Sequence, residues 1–263
     1  MDHRKPLNPI GTITRGTTGF NRLRRCDRWL VHQEATRRAL HAGGSSALAL
    51  DVGYGASWTT TVEWARWLRR VRPDVHITGL EINPALLQEP REGVNFELGG
   101  FELAGYRPNL VRAFNVLRQY DAAEVPAAWE LVCSRLHPEG LFIEGTCDEI
   151  GRRCCWITLG PEGPRTLTLA WDPFTVTKPS DLAERLPKIL IHRNIPGEPI
   201  HELLRQADAA WEHAAGWSPY GPRVRWRQAH AMLKQAGVPV LAQRRRLRDN
   251  VLTVPWDAVD LPA

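Results

Sequence analysis

The stretch Ala47-Leu48-Ala49-Leu50-Asp51-Val52-Gly53-Tyr54-Gly55 decides the fold. A short apolar run is cut off by a Gly-x-Gly turn, and a helical pattern follows from about Trp58 to Arg72. Small residues there let the backbone approach a ligand, and the following helix start offers free N–H donors. In an open α/β sheet, ligands bind beyond the carboxyl ends of the strands. Gly53 and Gly55 alone are equally compatible with a plain tight turn.

Outward from this turn the pattern repeats. His76 to Glu81 reads as a second strand ending in an acid, with a short helix at Pro84 to Leu87, and Val94 to Leu98 reads as a third. Leu110 to Val116 is the fourth, Ala122 to Leu136 a helix, and Leu141 to Gly145 the fifth strand. Strands alternating with helices predict an α/β protein with a mostly parallel sheet and helices on both faces. Upstream, residues 1 to about 18 read as an extended arm. Asn21 to His41 reads as one helix stopped by Gly43-Gly44, with Arg24, Arg25, Arg28 and Arg38 forming a basic outer face suited to a lid.

After Gly151 the rhythm changes. Cys154 to Leu159 and Thr166 to Trp171 flank a Gly/Pro turn and predict an antiparallel hairpin. A proline-rich stretch with a helix near His201 to Ala215 follows, then a helix at Val224 to Ala236 and a closing strand pair, Val238 to Leu241 with Val251 to Val254. The expected organisation is an arm and helix at 1–45, a cofactor-binding core at 46–150, an inserted hairpin and helical cap at 151–220, and closing elements at 221–263.

The chain has 263 residues, 43% hydrophobic and 24% charged, which excludes wholesale disorder and fibrous repeats. The net charge of +5 allows an anionic partner. Of the 34 basic residues only Lys5, Lys178, Lys188 and Lys234 are lysines, an arginine bias typical of GC-rich coding, so the excess alone is no nucleic-acid signal. Five cysteines without CxxC spacing, and a polar start, read as reduced thiols in a cytoplasmic protein. The vicinal pair Cys154-Cys155 is expected on opposite faces of a strand. No apolar run reaches membrane-spanning length, and no metal-ligand spacing or phosphate-loop motif occurs.

Glu81 closes the second strand, where a carboxylate can accept from both hydroxyls of a ribose; a solvated turn acid is the alternative. Asp51 precedes the glycines and either holds the turn amides or reaches a cationic ligand group. A dinucleotide fingerprint would place a third glycine where Trp58 stands, which disfavours a nicotinamide oxidoreductase.

The run Leu50 to Ser57 resembles the first motif of class I S-adenosylmethionine-dependent methyltransferases, with Ser57 in place of the third glycine. Leu80-Glu81-Ile82-Asn83-Pro84 is similar to the family's second motif, and Leu136-His137-Pro138-Glu139-Gly140-Leu141-Phe142-Ile143 resembles its Leu-x-Pro-Gly-Gly segment, with Glu139 replacing a glycine. The three occur in order over about 100 residues.

The resemblance implies a Rossmann-like methyltransferase fold, S-adenosyl-L-methionine as cofactor, and contacts from Asp51, Gly53, Tyr54, Gly55, Glu81 and Ile82. It also puts Asn115 beside the methionine part, unless Asn115 merely satisfies loop amides. Phe101 would stack on adenine, unless it is ordinary core, and Glu102 would receive the adenine amino group. Asn115-Val116-Leu117-Arg118 lacks the Asp/Asn-Pro-Pro-aromatic motif of base-amine methylating members. No catalytic residue is assigned.

The expected function is methyl transfer to an unidentified acceptor, a small molecule or RNA. The alternative is a non-catalytic Rossmann-like binding module whose basic arm contacts RNA or another anion. Thr17, Thr18, Asn21 and Arg22 are the candidates for a lid over the cleft. Arg15 to Arg25 and Arg244-Arg245-Arg246 with Arg248 are candidate phosphate grips or plain solvated faces. Trp156, Trp171, Trp211, Trp217 and Trp226 are an aromatic cage or packing.

Overall fold

Eight strands form one sheet in the order β3-β2-β1-β4-β5-β6-β7-β8. Their ranges are β1 Leu48–Val52, β2 His76–Glu81, β3 Val94–Leu98, β4 Leu110–Phe114, β5 Leu141–Cys147, β6 Arg153–Gly160, β7 Gly163–Trp171 and β8 Asn250–Pro255. The structure is a computed structural model that describes residues 8–14, 16, 18–42, 44, 46–242 and 248–260. Arg15, Thr17, Gly43 and Arg244 to Arg246, singled out above, lie outside the described residues.

Strands β1 to β5 pair in parallel, and β6 to β8 add on antiparallel. The strand order reverses between β1 and β4, which creates the crevice where such sheets take ligands. This is the expected α/β, Rossmann-like fold. Both faces are covered, and the strands alternate accordingly: Ala49, Leu110 and Ile143 face one core while Leu50, Val111 and Phe142 face the other. Cys154 and Cys155 divide between the two cores in the same way.

Helices α1 Arg24–Leu30, α2 Glu34–His41 and α3 Thr59–Leu68 cover the first face. The predicted single helix over 21–41 is two, because Gln33 turns extended and caps the second without a side-chain bond. Neither Gly nor Pro marks that break. The basic outer face expected there is also corrected: Arg25 is buried and pairs with Asp172 and Asp249, and Arg28 pairs with Asp249. These pairs fasten α1 to the far end of the sheet.

The second face carries α4 Val125–Arg135, the one-turn α5 Lys188–Ile191, α6 Pro199–His213 and α7 Pro222–Gln235. A proline in the first turn opens α4, α6 and α7, where its missing N–H has no intrahelical partner to lose. Trp226 of α7 packs edge-on against Trp171 of β7 at 4.6 Å between ring centroids, with Trp211 of α6 at 6.5 Å. The tryptophans expected as a possible cage are packing residues here, and none of the five lines the main cavity.

The hairpin expected to begin a cap instead continues the sheet. Residues Cys154 to Leu159 of β6 pair with β5, and β7 pairs onward with β8, so two-sided burial of Trp156, Ile157 and Leu167 is satisfied inside the sheet. The closing pair is also corrected: only β8 is a strand, and Val238 to Leu241 contributes a single bond from the Leu241 N–H to the Thr253 carbonyl at 2.8 Å. Among the described residues no helix is long and apolar enough to cross a membrane.

Candidate functional site

At the carboxyl ends of β1, β2 and β4 lies a cavity of about 370 Å³, contiguous with a cleft of about 20 Å³ through the shared residues Thr14, Gly53, Glu81 and Val116. All eight residues expected to touch a cofactor line one or the other. Asp51, Tyr54, Gly55 and Asn115 border the larger space, Ile82 and Phe101 the smaller, and Gly53 and Glu81 both.

The turn is built from two left-handed glycines, with φ of +68° at Gly53 and +79° at Gly55. A Cβ on Gly53 would stand 2.6 Å from Val116 Cγ2, so any side chain there would clash with Val116, which borders both spaces. Gly53 N–H donates to the Leu80 carbonyl at 2.8 Å, which ties the turn to β2. Glu81, buried at the end of β2, accepts from Gly55 N–H and Asn83 N–H, both at 3.0 Å. Its two oxygens offer about four acceptor positions, so both keep a lone pair toward the cavity. The Tyr54 ring packs against Phe96, and its hydroxyl donates to the Leu86 carbonyl at 3.2 Å.

Asp51 neither holds the turn amides nor waits for a cationic ligand. Arg112 Nε donates to its Oδ1 at 2.9 Å and Arg112 Nη2 to its Oδ2 at 2.6 Å, with Thr61 adding a third bond at 2.8 Å. Arg112 also donates to Asp27 of α1 at 2.5 Å and lies over the Trp64 ring at 4.5 Å. Burial pushes the Asp27 carboxyl up to about 7 even with Arg112 beside it. Sequence reading missed this triad, although a lone charge inside a strand buried on both faces requires a partner, and Arg112 pairs in register with Asp51.

Asn115 has φ of +61°. Its side-chain oxygen accepts from the N–H of Cys147, the last residue of β5, at 2.9 Å, so it satisfies a strand-end amide while still bordering the cavity. Cys147 stands opposite Cys154 in the β5–β6 ladder. A hydrogen bond with Cys154, together with Arg22 and Asn115, holds the Cys147 thiol below its ordinary range despite burial.

Phe101 is core, packed against Tyr120 at 5.7 Å between centroids, and only borders the smaller cleft. Glu102 is not available to a ligand amino group, because its carboxylate accepts from the N–H groups of Ile10, Gly100 and Ala104. The first of these is the arm, docked across the end of β3 where Phe101 N–H also donates to the Ile10 carbonyl. Gly100 makes that approach possible, since a Cβ would sit 2.2 Å from the Ile10 carbonyl oxygen. Thr14, Gly16, Thr18 and Arg22 then border the larger cavity, whereas Asn21 faces away and donates its N–H to Glu63 at 2.9 Å.

The chain is thus a Rossmann-like α/β protein with its cavity at the sheet's switch point. No protein-family model and no curated protein sequence matches it. Solved structures similar to part of it include human N-acetylserotonin methyltransferase in complex with SAM, at 19% identity over 48% of this chain and 35% of that one, with a TM-score of 0.34. The plantazolicin methyltransferase BpumL in complex with SAH matches at 10% identity over 49% of each chain, with a TM-score of 0.36. A cyclopropane synthase from Mycobacterium tuberculosis matches at 17% identity over 43% of this chain and 41% of that one, with a TM-score of 0.30. The chain therefore spans between about a third and a half of the length of these structures.

Proposed function

We propose that the protein is an S-adenosylmethionine-dependent methyltransferase, with its cofactor site in the turn after β1 and its acceptor site in the cavity beyond Asn115. The observation that carries this reading is the buried Glu81 carboxylate, held by two backbone amides at the switch point and still open on the cavity side. Vicinal hydroxyls are the donors that geometry suits. Gly53 and Gly55 leave the backbone bare beside it, and Ile82 and Phe101 border the small cleft next to it, which a flat ring system would enter by displacing the arm residues that line it. These residues fit an adenosyl group.

S-adenosylmethionine, when bound, supplies a methyl group on a sulfonium sulfur, open to in-line displacement. The chain's own task is to align and to exclude water. Thr14, Gly16 and Thr18 of the arm border the cavity, and the Arg112 triad fixes α1 and β1 against each other beside it.

The test is titration of Glu81→Ala and Glu81→Gln with S-adenosylhomocysteine. Two charge-assisted hydrogen bonds are lost in the first, so affinity should fall about 100-fold or more, and the second should fall in between. Wild-type affinity in Glu81→Ala would remove the ribose assignment.

A further inference from the structure

Past Asn115 the larger cavity is walled by three guanidinium groups from separate parts of the chain. Arg22 precedes α1, Arg118 follows β4, and Arg185 ends the 3-10 turn Pro179–Arg185. All three are half-buried. Arg118 Nη1 donates to the Glu184 carbonyl at 2.8 Å and Arg22 Nε to the Asp148 carbonyl at 2.9 Å. The Glu184 carbonyl fixes the direction of the Arg118 guanidinium without cancelling its charge, and Arg22 also interacts with the Cys147 thiol.

The acids facing this wall are few. Glu149 and Glu184 each stand 3.6 Å from Arg185, beyond a tight pair, and Glu184 is held by Arg153 at 2.6 Å. Glu149, with 72% of its side chain exposed, is the one acid bordering this end of the cavity, and water screens it. Three guanidinium groups therefore meet at one wall of the cavity, and the acids nearest to Arg185 are the exposed Glu149 and Glu184, the latter shared with Arg153. Guanidinium forks match the planar oxygens of carboxylate and phosphate.

We infer that this wall binds the anionic group, a carboxylate or a phosphate, of a small methyl acceptor. The inference rests on the methyltransferase reading for the word acceptor, while the anion site itself rests on the arginines alone. A space of about 370 Å³ bordered by Thr14, Gly16 and Thr18 has the size of a small-molecule site. A nucleic-acid strand would need an open groove with stacking platforms.

The experiment titrates inorganic phosphate and benzoate into the full chain, with and without saturating S-adenosylhomocysteine, for wild type, Arg118→Gln and Arg185→Gln. At least one anion should bind wild type, and its affinity should fall about tenfold or more in each variant. Affinity for S-adenosylhomocysteine and thermal unfolding should stay at wild-type values. Preference for phosphate identifies a phosphate-bearing acceptor and preference for benzoate a carboxylate.

Equal anion affinity in all three proteins overturns the inference. So does binding of a single-stranded oligoribonucleotide, lost in both variants, when neither small anion binds. If the anions discriminate the variants but S-adenosylhomocysteine binds none of the proteins, the methyltransferase reading falls and the anion site stands.

Discussion

Replacing Arg112 by alanine is expected to cost about 3–5 kcal/mol of unfolding free energy at pH 8, the largest single-site loss in the protein. The side chain is fully buried on the β4 surface and joins Asp27, on α1, to Asp51, on β1. Without it two carboxylates remain in one low-dielectric space, and one Asp27 oxygen already has no hydrogen-bond partner among the described residues. Asp27, already raised by burial, would then lose the guanidinium that opposes that shift and titrate higher still. Between the unfolded and folded values the folded state holds more protons than the unfolded one, so stability is regained as the pH falls. The expected result is a deficit in Arg112→Ala, measured by denaturant unfolding against wild type, that is largest at pH 8 and shrinks toward pH 5. A deficit under 1 kcal/mol at pH 8, or one independent of pH, would contradict the triad's structural role.

Replacing Glu144 by leucine is expected to act in the opposite direction and to stabilise. Glu144 lies in the middle of β5, and among the described residues neither carboxyl oxygen has a hydrogen-bond partner. Burial alone pushes it up to about 8 from an ordinary value of 4.5. A raised folded value means that ionisation opposes folding: the cost is absent below pH 4.5 and grows as the pH rises to 8. One pH unit corresponds to about 1.4 kcal/mol, so the full penalty is of the order of 5 kcal/mol above pH 8. Glu144→Leu should therefore match wild type near pH 4.5 and melt about 10 °C higher at pH 9. Equal melting temperatures across that range would show that Glu144 is solvated or paired. Nothing in the structure gives this acid a function, and it borders neither space of the site.

The parts of the site that could be read from sequence are those whose signal is local. Ala47 to Gly55 carries its strand, turn and glycine requirement within nine positions, and Glu81 is marked by ending an apolar strand. Long-range pairing left no such trace. Arg112 reads as a charge interrupting an apolar strand, and its partner Asp27 stands 85 positions away on a helix whose charged residues suggested an outer face. Arg25 misled in the same way, because Asp172 and Asp249 lie far along the chain. The β6–β7 hairpin is legible as a hairpin. Its place between β5 and β8 is set by edge pairing that alternation alone does not encode. Glu102 was read as a ligand contact because nothing nearby in sequence announces that Ile10 returns to occupy it.

The arm has a further consequence for ligand entry. Ile10, Gly11, Thr12 and Thr14 line the smaller cleft, and Gly11 lies against Tyr120, Ile82 and Phe101. On the proposed reading, an adenine ring reaching Phe101 would displace these residues outward, so that arm position would be coupled to cofactor affinity.

Calorimetric titration of the full chain with S-adenosylmethionine and S-adenosylhomocysteine, with NAD as control, tests the central claim most directly. Saturable micromolar binding of both adenosyl ligands, with none of NAD, is the predicted result. Binding of NAD in their place, or of no nucleotide-derived ligand at all, would contradict it.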